Sequence, residues 1–187
     1  MGREEMNEVR ARVVADASGV VVEIGFGSGY NLPFYKNVTK FYALEPSAEL
    51  FALGRERIEQ SAFPVQHLQG GAEAISLPDN SVDTVVSTWT LCSVAHPEQV
   101  MREIYRVLVP GGKFIFFEHG LSSKELHAKV QKFVTPVRRH FTGNCHADRA
   151  IDTLIASAGF TVQNLKKFSP EEGSLLLFYY DGVAVKK

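Results

Sequence analysis

The ten residues Val20–Gly29, VVVEIGFGSG, constrain this chain more than any other stretch. The run Val20-Val21-Val22 is continuous and β-branched rather than alternating, the pattern of a strand buried on both faces of a parallel sheet. It ends in Glu23, and Gly25, Gly27 and Gly29 follow at every second position. Glycines spaced in this way let the backbone turn tightly and leave no Cβ between it and a ligand. Further on, a second short apolar run, Phe41-Tyr42-Ala43-Leu44, ends in Glu45. Two strand ends, one glycine-rich and one acidic, make a site for a molecule that carries a ribose.

Two nucleoside cofactors compete for such a site. A nicotinamide dinucleotide fingerprint reads G-x-G-x-x-G, with an acid about 20 residues on for the ribose. Counted from Gly25, its third glycine falls on Tyr30, whereas here it comes one residue early at Gly29. A tyrosine there hinders close helix–strand packing, and Glu23 adds negative charge near a pyrophosphate. Neither objection touches S-adenosylmethionine, which has no phosphate and carries a sulfonium and an ammonium group. Glu45 suits either cofactor. Charge favours the methyl donor.

The E-x-G-x-G-x-G loop at Glu23–Gly29 resembles the first motif of the class I S-adenosylmethionine-dependent methyltransferases. Similar segments follow: ALEPS at Ala43–Ser47, GGAEAISLPDNSVDTVVS at Gly70–Ser87, and EIYRVLVPGGKFIFFEHG at Glu103–Gly120. Within the class, the chain resembles the group containing quinone-biosynthesis C-methyltransferases and microsomal thiol S-methyltransferases. Leu91-Cys92-Ser93-Val94, Glu118-His119 and Gly143–Arg149 are similar to the thiol enzymes in particular.

The resemblance implies a Rossmann-like α/β fold: a seven-stranded, mostly parallel sheet of order 3-2-1-4-5-7-6, with helices on both faces and the penultimate position antiparallel. It also implies S-adenosyl-L-methionine as cofactor, leaving as S-adenosyl-L-homocysteine, held by Glu23, Gly25, Phe26, Gly27, Gly29, Glu45, Pro46, Gly71, Ala72, Glu73 and Thr88. Glu45 would accept from both ribose hydroxyls, or simply cap the helix that follows. Glu23 would help hold the methionine ammonium, often through water, or be a polar strand terminus. Many relatives carry an acid directly before the alanine that meets adenine. This chain has Gly71 there and Glu73 just beyond, either an adenine contact or a solvated turn residue. Trp89, Leu91 and His119 are the expected acceptor pocket, with His119 as general base. Trp89 also fits a core position, and His119 can equally satisfy a backbone carbonyl. Cys92 reads as a small buried hydrophobe.

The rest of the sequence fits one α/β domain over residues 1–187. Its expected helices are 4–15, 30–36, 47–59, 97–109 and 147–158, and its strands 20–24, 40–44, 65–69, 82–87, 113–118, 160–168 and 174–185. Residues 1–19 would be either a minimal cover for the cofactor or too short to close over it. Two cysteines make no disulfide framework and point to a reducing compartment, the cytoplasm. No apolar run approaches membrane length and residues 1–19 are charged, so neither a signal peptide nor a span is expected. A formal net charge of −1 argues against nucleic acid as the main partner, and no obligatory protein partner is evident.

Residues 121–150 form the expected variable acceptor segment. Lys124, Lys129, Lys132, Arg138, Arg139 and Arg149 against Glu125 and Asp148 leave a formal excess of +4. Leu126, Val130, Phe133, Val134, Val137 and Phe141 recur at helical intervals, with Pro136 bending or breaking the run. Such a segment is either a lid with a solvated face or a weak membrane-surface contact over 121–141. Cys145-His146 with His140 matches no standard ligand spacing, so no metal is expected.

The expected activity is methyl transfer to a small, lipophilic acceptor: a thiol first, then a quinone-type carbon or a lipid amine. A nicotinamide-dependent oxidoreductase and a non-catalytic, S-adenosylmethionine-binding regulatory domain are the alternatives.

Overall fold

The computed structural model describes residues 3–170 and 174–187, so Met1, Gly2 and residues 171–173 of the expected domain lie outside the described residues. Seven strands form one sheet: β1 (Ser18–Ile24), β2 (Asn37–Leu44), β3 (Val65–Leu68), β4 (Val82–Thr88), β5 (Leu108–His119), β6 (Thr161–Phe168) and β7 (Tyr179–Val185). Their order is β3-β2-β1-β4-β5-β7-β6, as the resemblance implied. β7 runs antiparallel to both neighbours, and the other pairs are parallel.

The unbroken apolar runs reflect burial on both faces. Val22, Val85, Phe114 and Phe116 face one core with Met101 and Ile104, whereas Val21, Val86, Ile115 and Phe117 face the other with Val13 and Phe41. The helices are α1 (Arg3–Val13), α2 (Ala48–Ala52), α3 (Arg55–Glu59), α4 (Pro97–Val107), α5 (Glu125–Arg138) and α6 (Ile151–Ser157). In α4, Val100, Met101, Ile104 and Val107 are buried at intervals of three and four, the spacing of one helical face. Among the described residues no helix is long and apolar enough to cross a membrane.

Several expected boundaries move, each for a local reason. The helix expected over 30–36 is a single 3₁₀ turn, Leu32–Phe34, because Asn31 is drawn inward and β2 begins at Asn37. No α-helix N-terminus therefore backs the glycine loop, so it lacks the dipole end that a pyrophosphate uses. Tyr30 is half exposed and covered by Arg57, rather than obstructing helix–strand packing. The helix expected over 47–59 divides at Gly54, where an added Cβ would lie 3.0 Å from the Ser28 carbonyl oxygen.

Helix α4 passes directly into β5. Pro110-Gly111-Gly112 lies inside that strand, its ends held by Gly111 N–H donating to the Lys186 carbonyl and Lys186 N–H to that of Gly112. Helix α6 starts only at Ile151, since Arg149 N–H closes a turn onto the His146 carbonyl. Strand β7 starts at Tyr179 rather than 174.

In α5 the expected apolar face is turned outward. Gln131 and Thr135 are buried and Val130 and Val134 half-buried, while Leu126, Phe133, Val137 and, just past the helix, Phe141 are exposed. Gln131 accepts from Ser122 N–H and donates to the Gly120 carbonyl, so a polar pair anchors the helix. Pro136 falls in the last turn without ending it.

Burial separates two apolar residues that the sequence treats alike. Ile104→Ala should cost about 2–5 kcal/mol in a urea titration, since Ile104 is fully buried. Phe133→Ser should change stability by less than about 0.5 kcal/mol, because Phe133 is 86% exposed.

Candidate active site

The site begins where β1 and β2 end together. Gly25 and Phe26 N–H both donate to the Leu44 carbonyl, at 2.9 and 3.2 Å, tying the glycine loop to the end of β2. Gly25, Gly27 and Gly29 all take positive φ, at +66°, +56° and +74°. A Cβ on Gly25 would run into the Thr90 side chain. On Gly27 it would meet open space, the nearest atom being the Gly25 oxygen at 4.0 Å. Gly27 thus presents bare backbone to the cleft.

Glu45 anchors the opposite wall. It is 5% exposed; Oε2 accepts from Gly27 N–H at 2.8 Å and Oε1 from Ser47 N–H at 3.0 Å. Ser47 Oγ in turn accepts from Leu50 N–H and caps α2. A cleft of about 550 Å³ lies over these residues, lined also by Gly25, Pro46, Gly71, Ala72, Glu73, Trp89, Thr90, Ser93, Val94 and Gly143. At Gly71 an added Cβ would sit 2.8 Å from Glu73 Oε2. The Glu73 carboxylate occupies the space that a side chain at position 71 would use.

Other expected cofactor residues stand behind this surface. The Phe26 ring packs on Phe41 and Phe51, and a Cβ on Gly29 would strike that ring. Thr88 Oγ1 accepts from Asn31 Nδ2 at 3.0 Å. Glu23 is 2% exposed, with Oε1 accepting from Asn31 Nδ2 and Oε2 from the Tyr35 hydroxyl, each at 2.8 Å. Burial pushes the Glu23 carboxyl up to about 7, against those hydrogen bonds and the Arg10 charge. Arg10 was not anticipated from the sequence. It donates to Asn31 Oδ1 and stacks 4.8 Å from the Trp89 ring centroid, so the N-terminal helix reaches the loop.

Of the expected acceptor residues, Leu91 is fully buried and belongs to the core. Trp89 is both wall and core: it lines the cleft and meets Phe117 edge-on at 5.1 Å. Its φ of +54° follows from a residue whose role the sequence did not reveal, Glu118. This fully buried carboxylate accepts from Ser87 Oγ and from the N–H groups of Thr90, Leu91 and Cys92, at 2.6 to 3.2 Å. Burial raises its pKa, and the four donors oppose the shift. Only an acid at the end of the strand beside β4 can satisfy three successive amides, and that adjacency is tertiary.

His119 is not part of the cleft lining; it meets two cysteines instead. Its Nδ1 lies 3.8 Å from Cys92 Sγ and 3.5 Å from Cys145 Sγ, and the two sulfurs are 3.6 Å apart. Arg149 ties the surrounding segments together, donating to the Leu91 and Val94 carbonyls at 2.7 and 2.8 Å, while His146 N–H donates to the Cys92 carbonyl at 2.7 Å.

A parallel sheet with a glycine loop and an acid at adjacent strand ends defines a nucleoside-binding α/β enzyme. Residues 22–116 match the family described as methyltransferase domain, and the chain belongs to that family. It is similar to phosphatidylethanolamine N-methyltransferase of Cereibacter sphaeroides, 33% identical over 86% of this chain and 78% of the relative. Thiol S-methyltransferase TMT1A of Homo sapiens is 35% identical over 89% of this chain and 70% of its own. Among solved structures, geranyl diphosphate methyltransferase in complex with S-adenosylmethionine superposes with a TM-score of 0.74 at 14% identity, covering 98% and 85% of the two chains, and shares the fold. The protein is an S-adenosylmethionine-dependent methyltransferase, and the nicotinamide and non-catalytic readings are set aside.

Glu23 supplies a test by pH. A carboxyl raised from 4.5 to about 7 on folding binds more protons in the native state between those values, so its contribution to stability falls as pH rises through that window. Glu23→Gln is permanently neutral and removes this term. Measured by urea titration, the variant should gain on the wild type across that range, towards an upper limit of about 3 kcal/mol. A difference that stays constant from acid to neutral pH would show that Glu23 does not titrate there.

Proposed function

We propose that this methyltransferase acts on a small, lipophilic acceptor, with a thiol as the first choice and a quinone-type carbon or lipid amine next. One observation carries the acceptor class. The segments Leu91–Val94 and Gly143–Arg149, which resemble the thiol enzymes, are tied to each other by Arg149 and His146 at one end of the cleft. The relatives point the same way, one named for thiols and one for a phospholipid amine.

The cleft fits the cofactor's two ends differently. Gly27 gives open space beside Glu45, whose carboxylate is fixed by two amides and keeps lone pairs for ribose hydroxyls. Glu73 replaces the acid missing at Gly71 and is assigned the adenine amino group. Glu23 is assigned to holding Asn31 and Tyr35 behind the loop, and acts on the methionine end only through them. When bound, S-adenosylmethionine supplies an electrophilic methyl group. The protein's part is to align an acceptor and exclude water, with no covalent intermediate required.

The exposed apolar residues Leu126, Phe133 and Val137 of α5, with exposed Lys129 and Lys132 on the same helix, support a weak contact with an anionic membrane that would deliver a lipophilic acceptor. The two free cysteines fit a reducing compartment, such as the cytoplasm.

At 100 times its dissociation constant, S-adenosylhomocysteine should stabilise the protein by about 2.7 kcal/mol. Glu45→Ala should abolish most of the resulting thermal shift, and Glu73→Gln should weaken binding by roughly tenfold or more, the loss expected for a hydrogen bond to a charged group. Retention of full affinity by either variant would remove that residue from the site. With labelled donor, transfer to aryl or alkyl thiols should exceed transfer to quinols and lipid amines; the reverse ranking would overturn the thiol assignment. Phe133→Ser combined with Phe141→Ser should reduce sedimentation with phosphatidylglycerol vesicles, and unchanged binding would exclude this segment as the contact.

A further inference from the structure

We infer that Cys92, His119 and Cys145 form a zinc site with three protein ligands, whose fourth position takes the sulfur of a thiol acceptor. The ligand atoms come from three separate places: the turn after β4, the end of β5, and the segment before α6. All three lie within 4.8 Å of one another.

Their separations are those of a coordination tetrahedron. With Zn–S near 2.3 Å and Zn–N near 2.0–2.1 Å, tetrahedral angles place sulfur–sulfur edges at about 3.8 Å and sulfur–nitrogen edges at about 3.5–3.6 Å. The three edges here are 3.6, 3.8 and 3.5 Å. A disulfide would require the sulfurs to close to about 2.05 Å and would leave the aligned histidine nitrogen without a purpose. Two cysteines and one histidine match a ligand set that elsewhere leaves one position of a catalytic zinc open.

The surroundings hold the ligand-bearing segments in place. Three backbone amides on Glu118 fix the turn that carries Cys92, and Arg149 and His146 fix that turn to the segment carrying Cys145. Two thiolates neutralise a divalent cation. Ser93 and Gly143, one and two residues from Cys92 and Cys145, line the cofactor cleft, so the cluster lies beside its acceptor end.

This role rests on the thiol reading and deepens it. An acceptor thiol entering the fourth position would lose its proton to water and bind as thiolate. The sulfur then forms a bond to the donor's methyl carbon as the carbon–sulfonium bond breaks, its electron pair returning to the donor sulfur. Thioether and S-adenosylhomocysteine leave. His119 would hold metal through Nδ1 instead of acting as the general base.

The experiment is zinc titration of the reduced full chain against a chromophoric chelator, with cobalt(II) as a spectroscopic substitute. One equivalent should bind, with tetrahedral cobalt d–d bands and thiolate charge transfer. Cys145→Ser and His119→Ala should each lose more than about 100-fold in affinity, beyond what an outer-shell partner costs. A folded wild type that takes up no zinc, or variants that bind as well as it does, would overturn the site. So would mild oxidation that removes both thiols from reagent while zinc has no effect, since that is a disulfide pair. Adding benzenethiol to the cobalt form should deepen the charge-transfer band, and no change would overturn the acceptor half alone. Thiol methylation that proceeds equally in zinc-free protein would sink the zinc role and leave the thiol assignment standing. Zinc and benzenethiol binding with no methyl transfer to any thiol would overturn the thiol reading and the acceptor role that rests on it, leaving only the metal site standing.

Discussion

A single buried carboxylate organises the acceptor side of this protein. Glu118 ends β5 in the middle of the sheet, where an acid without partners would be strongly unfavourable. Four donors from β4 and the turn after it satisfy the carboxylate, and in doing so they dictate the path of that turn. Trp89 is forced to positive φ, Thr90 is brought against Gly25, and Cys92 is presented to His119. Removing the carboxylate would take the acceptor from three backbone amides at once.

The cofactor side is organised by a second carboxylate with a similar logic. Glu45 joins the glycine loop to the start of α2 by accepting one amide from each. Behind it, Glu23, Asn31, Tyr35 and Arg10 form a chain of hydrogen bonds that reaches from the first strand to the N-terminal helix. Three acids at three strand ends thus do different work: Glu45 borders the cleft, Glu23 supports the loop from behind, and Glu118 shapes the acceptor turn. Their sequence contexts look alike, each being an acid closing an apolar run. Only the neighbours supplied by adjacent strands tell them apart.

Much of the fold was legible because its signals are local. Continuous β-branched runs mark strands buried on both faces, and Val100, Ile104 and Val107 mark a helix by spacing alone. The misjudged elements share a different cause. The turn at Leu32–Phe34 is set by Asn31 being drawn to Glu23, and the division of α2 from α3 by the approach of Gly54 to Ser28. The face of α5 is set by Gln131 bonding the backbone near Gly120. Each depends on a partner distant in sequence, and periodicity carries no information about such partners.

The sequence by itself determined the glycine loop, the acid at the end of β2 and the order of alternating elements, because strand patterning and backbone freedom are properties of neighbouring residues. From these the methyl donor followed by charge. The tertiary structure decided which acids face the cleft, and it brought Cys92, His119 and Cys145 within bonding range of one ion. Those three residues are separated by 26 and 27 positions and match no ligand spacing along the chain. Their meeting comes from parallel strands that place the ends of β4 and β5 side by side, which no linear pattern encodes.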